Sequence, residues 1–378
     1  MGQGIYNGIW WPDIVGGIGP SSFETRWTIP TNNYSITLPY GQSATYSGTI
    51  DWGDGTVTAN TYANRTHTYA TAGDYNVVID GECSRWNFIL SPGSSKDEVI
   101  EVLEWGNYFF DSCSFRTCNN FIGGPVCRNL LKIAPGGDFS FMQAVSLTTI
   151  QGIESWDVSN VTAMNGTFMD CADFTADLSN WDVSNVTTAG LMFWNATSFN
   201  SDVSSWDTSS NTFPQAMFFN AESFNSDINF DLTSSTNMGN MFSDCDLFNG
   251  AVNGMNTSTI TDMLSLFKDC PSFNQPVDNW DVSNVTNMYG MFWGADAFDQ
   301  DLGSWDFSSV TDMTGFMHLK TSADYSSANY DSLLSALVAG GQTNVPLTMG
   351  TIKYSSSGAA DRATLITRGW TIIDGGQV

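Results

Sequence analysis

Through the second half of the chain one acidic residue recurs at a fixed place in a repeating phrase: Asp157, Asp182, Asp207, Asp231, Asp281 and Asp306, with Asn256 in the same register. Each follows a bulky residue and precedes an apolar one, as in Trp181-Asp182-Val183. In an extended segment its side chain therefore faces away from the apolar pair. If the phrases stack at strand spacing, about 4.8 Å, neighbouring carboxylates repel by roughly 1 kcal/mol even in water. Two arrangements relieve such a column. In one, the dense acceptors of Asp, Asn and flanking Ser hold a cation such as Ca²⁺ or a hydroxyl-rich ligand such as a glycan. In the other, each Asp bonds a nearby hydroxyl or backbone amide of its own turn. The second needs no ligand and is the expected one, since Ser159, Ser184 and Ser209 each stand two residues on. Acid–base catalysis fits poorly, because a glycosidase places its two carboxylates in differing environments and these are near-identical. The two histidines, His67 and His318, lie far apart in the chain, so no Ser-His or Cys-His pair is legible. An enzyme is not expected.

What must position these acids is the repeat itself. Trp156, Trp181, Trp206, Phe230, Met255, Trp280 and Trp305 are spaced by 25, 25, 24, 25, 25 and 25 residues, a solenoid period. A second column holds Phe168, Phe193, Phe218, Phe242, Phe267, Phe292 and Met317, and a third Phe174, Phe199, Phe224, Phe248, Phe273 and Phe298. The run Leu178-x-x-Trp181-x-Val183-x-x-Val186, followed by Phe193 and Phe199, has the beat of a leucine-rich repeat with aromatics and Met in place of leucine. It predicts a brief strand at Trp-x-Val and a turn of α- or 3₁₀-helix over residues 187 to 194 on the opposite side. A single rung buries too little apolar surface to offset the ordering of its backbone, so rungs must stack and both ends must be capped.

Residues 273 to 292 read F-N-Q-P-V-D-N-W-D-V-S-N-V-T-N-M-Y-G-M-F. This phrase closely resembles the BspA-like leucine-rich repeat family of bacterial and phage surface proteins, and the resemblance covers about 140 to 320. It implies an exposed adhesive or structural protein and carries no catalytic motif. The copies at 206 to 219 and 230 to 242 depart from it: Asn211, Phe213 and Pro214 replace V-T-x-M, and Phe230 replaces Trp. Local irregularity is expected there. Nearer the N-terminus, Asp51-Trp52-Gly53-Asp54-Gly55-Thr56 followed by His67 to Tyr75 resembles a PKD domain, an immunoglobulin-like β-sandwich. Asp51 and Asp54 offer oxygens to Ca²⁺, but Asp in a tight turn more often bonds its own backbone, and His67 reads as a turn or core residue.

The expected fold is thus an α/β solenoid, leucine-rich-repeat-like with 25-residue repeats, preceded by a small all-β immunoglobulin-like sandwich. Residues 1–22 form a Gly-rich docking or leader segment, 23–82 the sandwich, and 83–138 a linker and N-terminal cap with degenerate rungs. Residues 139–320 form the repeats and 321–378 a C-terminal α/β cap. In that cap, helical spacing over 327 to 338 and 358 to 367 alternates with strands at 345 to 349 and 370 to 373.

With 39 acidic residues against 12 basic, the net charge is −27. That excludes nucleic acid, whose phosphates need clustered Lys and Arg. No apolar run reaches membrane-spanning length, so membrane insertion is not expected. Seven cysteines make no tidy disulfide framework. Cys171, Cys245 and Cys270 share a register with Ala196, Ala221 and Ala295 and read as free, small apolar residues. Cys113, Cys118 and Cys127 are close enough to bridge or bind metal, without the spacing of a zinc site. No cofactor is expected beyond the Ca²⁺ alternative above.

The N-terminal stretch lacks the basic start and continuous apolar run of a secretion signal. The expectation is therefore a virion component exposed on a phage or virus particle: a fibre, decoration or receptor-binding protein contacting a host surface glycan or protein. Residues 1–22 would dock into other virion or surface proteins, or lie on their own domain. The alternatives are a bacterial cell-surface adhesin without its signal peptide and a purely structural virion protein.

Overall fold

The computed structural model describes residues 22–89, 93–106, 110–124 and 133–378, apart from the side chains of 134–137. Residues 1–21 of the expected docking segment and Cys127 fall outside the described residues, while Ser22 belongs to the first strand. The N-terminal region contains β1 (Ser22–Ile29), β2 (Tyr34–Thr37), β3 (Thr49–Asp51), β4 (Val57–Ala59), β5 (Thr66–Tyr69) and β6 (Gly73–Asp80). Alternation in β1 sends Phe23, Thr25, Trp27 and Ile29 inward. β1 pairs antiparallel with β6, β6 with β3, and β3 with β4, while β2 and β5 form a separate pair.

The chain continues through β7 (Arg85–Asn87), β8 (Val99–Trp105), β9 (Phe110–Ser114), β10 (Gly123–Gly124), β11 (Ile133–Ser140) and β12 (Thr149–Ile150). β8 takes the free edge of β1, and β10 and β12 then add in parallel, giving a seven-stranded sheet in the order β12-β10-β8-β1-β6-β3-β4. The antiparallel N-terminal sheet thus passes without a break into a parallel ladder. Only glycine fits at the join: a Cβ on Gly123 would sit 2.0 Å from the Thr149 carbonyl oxygen, and one on Gly124 2.0 Å from that of Val102. On another side β7, β9 and β11 form a parallel sheet that aligns Asn87, Ser114 and Ser140. The residues that follow them, Phe88, Phe115 and Phe141, head the Phe168 column. Phe115 stacks on Phe141 and Phe141 on Phe168, each at 5.8 Å. The solenoid therefore begins near Arg85 and makes about ten turns.

From Trp156 onward the rungs differ from the strand-and-helix form expected of a leucine-rich repeat. The Trp-x-Val segments form isolated bridges, as at Asp231 to Asn256, in place of strands, and residues 187 to 194 contain no helix. Instead alternate amides serve two purposes. Those of Met164, Gly166, Phe168 and Asp170 donate to the carbonyls of Thr188, Gly190, Met192 and Trp194 in the next rung, at 2.7 to 3.0 Å. Those of Thr167, Met169 and Cys171 close turns onto Met164, Gly166 and Phe168 within the rung. This weave needs two left-handed residues per rung, four apart: Leu191 and Asn195, Ala216 and Asn220, Asn240 and Asp244, Ser265 and Asp269, Gly290 and Gly294. The result is a β-solenoid of turns and sparse bridges with few helices.

Its interior is a stack of rings. From Phe168 to Phe292 the second column repeats at 5.6 to 5.8 Å with nearly parallel planes, and each ring also stacks on the third-column Phe of its own rung, as Phe193 does on Phe199 at 3.7 Å. Tryptophan heads most rungs for a further reason. The Nε1 groups of Trp181, Trp206, Trp280 and Trp305 donate to the carbonyls of Ile153, Leu178, Val252 and Val277, each 28 residues upstream, at 2.8 to 3.1 Å. The departing copy at 206 to 219 shows the expected irregularity: a void of about 10 Å³ is lined by Ala189, Trp206 and Asn211 among others, and Phe213 is exposed.

The last rung is covered by α1 (Ser327–Gly340), β13 (Pro346–Thr348), α2 (Ala359–Thr367) and β14 (Thr371–Ile373). Ser326 caps α1 by accepting from the Asn329 amide, and left-handed Gly341 ends it. β13 continues the ladder, the Met317 amide donating to Thr348. Beneath this cover Lys320 is wholly buried, its Nζ donating to the carbonyls of Ala295 and Asp296. Burial lowers its pKa to about 8.

Candidate functional site

The acidic column lies on the outside of the rungs, with Asp157, Asp182, Asp207, Asn256, Asp281 and Asp306 exposed and Asp231 half-buried. Every member turns one oxygen back onto its own loop. The amides of Ser159, Ser184, Ser209, Thr233, Ser283 and Ser308 donate to the Oδ1 of the acid two residues before them at 2.9 to 3.1 Å. The hydroxyls of Ser159, Ser184, Ser209 and Ser283 donate to the same atom at 2.6 to 2.7 Å. The Ser209 hydroxyl and amide accordingly hold the Asp207 carboxyl below its ordinary value, and Ser283 does the same for Asp281. Asn256 accepts the same two bonds from Ser258 without a charge. What the column supplies is turn geometry, repeated at each rung.

Two expectations follow. Because Asn256 already performs the task, Asp281→Asn should leave the thermal midpoint near that of the parent, while Asp281→Ala should cost about 1 kcal/mol. Chelator should leave the midpoint unmoved, and a clear drop would restore the cation. The depressed Asp pKa values add stability that is present above the unfolded value near 3.9 and lost as the pH falls through the lower folded values.

A second acidic column escaped sequence reasoning. Asp177, Asp202 and Asp301 accept from the amides of Ser179, Ser204 and Gly303 at 2.8 to 2.9 Å. Serines of the following rung, Ser201 and Ser226, donate to Asp177 and Asp202 at 3.4 and 3.2 Å. The signal was present, since Asp177-Leu178-Ser179 and Asp202-Val203-Ser204 have the same Asp-x-Ser spacing as Asp182-Val183-Ser184. Other polar columns also serve the stack. The Oγ1 of Thr187, Thr212, Thr261, Thr286 and Thr311 donates to the carbonyl of the matching Thr one rung earlier.

Asp51 and Asp54 accept from the amides of Gly53 and Thr56, each at 2.9 Å. His67 bonds Asp54 at 2.7 Å and stacks on buried Trp52, and His318 packs on Trp293 at 4.1 Å. Cys83, Cys113, Cys118, Cys171, Cys245 and Cys270 are buried free thiols. The Sγ of Cys171, Cys245 and Cys270 donates to the carbonyls of Phe141, Phe218 and Phe242 at 3.1, 2.9 and 2.6 Å. Among the described residues no group of three or more His, Cys, Asp or Glu is placed to hold a metal ion.

A family model described as "Mycoplasma protein of unknown function, DUF285" matches residues 138–235 and 228–330. Together the two matches span just over half of the sequence. The chain belongs to the DUF285 family. The overlap of the two DUF285 matches, residues 228–235, falls on the copy in which Phe230 replaces Trp. The earlier rungs headed by Phe88 and Phe115 lie before the DUF285 matches, although their ladder is continuous with the rest. No curated protein and no solved structure matches the chain.

Proposed function

We propose that this chain is a non-enzymatic attachment protein that presents the flanks of its solenoid to a partner at an exposed surface. The observation that carries this is the set of polar columns: hydrogen-bonding side chains repeat at rung spacing along the outside, each held in place by bonds to its own turn or to the adjacent rung. Such a surface is long, rigid and already ordered, so binding it costs little further entropy. The BspA-like character of the repeat supports the same assignment, as does the PKD-like pattern of residues 23–82. That N-terminal region acts as a fixed mount, because its sheet runs directly into the ladder through β8. The protein belongs on the outside of a phage or virus particle, facing the host; display on a bacterial cell is the alternative. No helix among the described residues is long and apolar enough to cross a membrane.

The test is saturable binding of the purified full chain to candidate host cells, with mass spectrometry of purified particles for its location. Binding to cells together with its presence in particles is expected. A chain that binds no cell surface and is found enclosed by other subunits would instead be a building block of the particle.

A further inference from the structure

Along the first rungs of the solenoid two rows of side chains border an open groove of about 580 Å³. One row is Thr117, Gln143, Asp170 and Asn195; the other, two residues on in each rung, is Asn119, Val145, Ala172 and Thr197. The rows are in register because the amides of Thr117, Gln143, Asp170 and Asn195 donate to Met142, Met169, Trp194 and Phe219 of the following rung, at 2.7 to 2.9 Å. Four rungs at strand spacing give a trough about 14 Å long, and its volume falls in the range of small-ligand sites, about 300 to 1,000 Å³. We propose that this groove binds a neutral, hydroxyl-rich saccharide. The proposal rests on the attachment function above and names the ligand and its place.

The lining carries the chemistry such a ligand needs. Amides, hydroxyls and one carboxylate alternate along the trough, and Lys96 reaches in to bond the Thr117 hydroxyl at 3.2 Å. Asn195 donates to Asp170 at 2.7 Å, which orients both groups. Among the described residues the Gln143 side-chain amide has no hydrogen-bond partner. Small Ala172 leaves the depression open, and exposed Val145 gives an apolar patch for the C–H face of a sugar ring. One cation and one carboxylate make the lining neutral in a chain of charge −27, whose field turns anionic ligands away.

The backbone of this row offers a way to test the groove. The first row is left-handed throughout, with φ of 62, 61, 60 and 56°. In later rungs this position is Asn220, Asp244, Asp269 and Gly294, residues that tolerate the conformation. Thr117, branched at Cβ, and Gln143 do not, so the rung geometry holds these two against their own preference.

The test exploits that strain. Gln143→Gly removes the amide and relieves the backbone, so its thermal midpoint should equal or exceed the parent's while saccharide binding falls at least tenfold. Asp269→Gly changes the same register outside the groove and should leave binding unchanged. The full chain and both variants are applied to a printed array of neutral and sialylated oligosaccharides and to host cells. Neutral saccharide binding that is lost only in Gln143→Gly supports the groove. Binding indifferent to that substitution, or preferential binding of sialylated saccharides, overturns it. Cells bound with no saccharide recognised overturn it while leaving attachment intact, and a chain that binds neither loses both.

Discussion

Raising the pH from 8 to 10 is expected to unfold this protein. Cys83, Cys113, Cys118, Cys171, Cys245 and Cys270 are buried as free thiols, and burial pushes the pKa of each upward. An unfolded thiol ionises near pH 8.5. Above that value the unfolded chain has released protons that the native chain retains, so stability falls as pH rises. Each thiol contributes about 1.4 kcal/mol per pH unit and the six together roughly 8 kcal/mol, against a typical total stability of about 5 to 15 kcal/mol. Half-buried Tyr46 and buried Tyr69, whose hydroxyl pKa values desolvation also raises, add the same sign above about pH 10. Lys320 acts the other way. Its folded pKa of about 8 lies below the unfolded value near 10.4, so it increasingly favours the native state between those two values. One such group cannot offset six.

Circular dichroism should place the alkaline midpoint between about pH 9 and 10, where the thiol slope consumes the typical stability margin. The native protein should be inert to thiol reagents at pH 7 and react as it unfolds. Replacing Cys171, Cys245 and Cys270 by Ala should move the midpoint upward, because Ala196, Ala221 and Ala295 fill the same buried slot in other rungs. A midpoint that stays put in the triple variant would show that the thiols do not set it.

Trp206→Ala is expected to cost about 3 to 5 kcal/mol in urea denaturation, the range for removing a large core aromatic. Trp206 is 5% exposed, its ring lies 6.4 Å from Phe193, and its Nε1 donates to Leu178 at 3.1 Å. It also borders the small void beside Ala189. At that register Met164, Met238, Met263, Met288 and Met313 fill the space in other rungs. Truncation would enlarge a gap that the neighbours already leave open. Trp206→Phe should keep most of the packing and remove one of the two hydrogen bonds the Leu178 carbonyl accepts, the Trp181 amide keeping the other at 3.1 Å, costing about 1 kcal/mol. Because each rung is held by those beside it, the loss should also broaden the transition as the stack divides into two parts. A near-neutral Trp206→Ala would place this column at the surface.

Residue type at constant spacing was enough to identify the 25-residue stack, its three aromatic columns, the small-residue slot of Cys171, Cys245 and Cys270, and the cap helices, since each depends on what one position must bury. The path of the backbone within a rung was not available in the same way. The Met164 amide bonds a carbonyl 24 residues ahead, and Leu191, Ala216 and Ser265 adopt left-handed conformations that no local preference would assign them. A window of the chain holds only the turn bonds three residues back, which suit a helical turn as well as this weave. For the same reason the strand-and-helix rung was a fair expectation and the solenoid's own geometry a finding. The earlier rungs were legible only as degenerate ones in a cap, because Phe88, Phe115, Phe141 and Phe168 are spaced 27, 26 and 27 residues apart and the first three lack the Trp-Asp phrase. The groove could not be seen at all: Thr117 and Asn195 meet only because intervening rungs stack, and stacking is settled by hydrogen bonds between rungs that no stretch of sequence contains by itself.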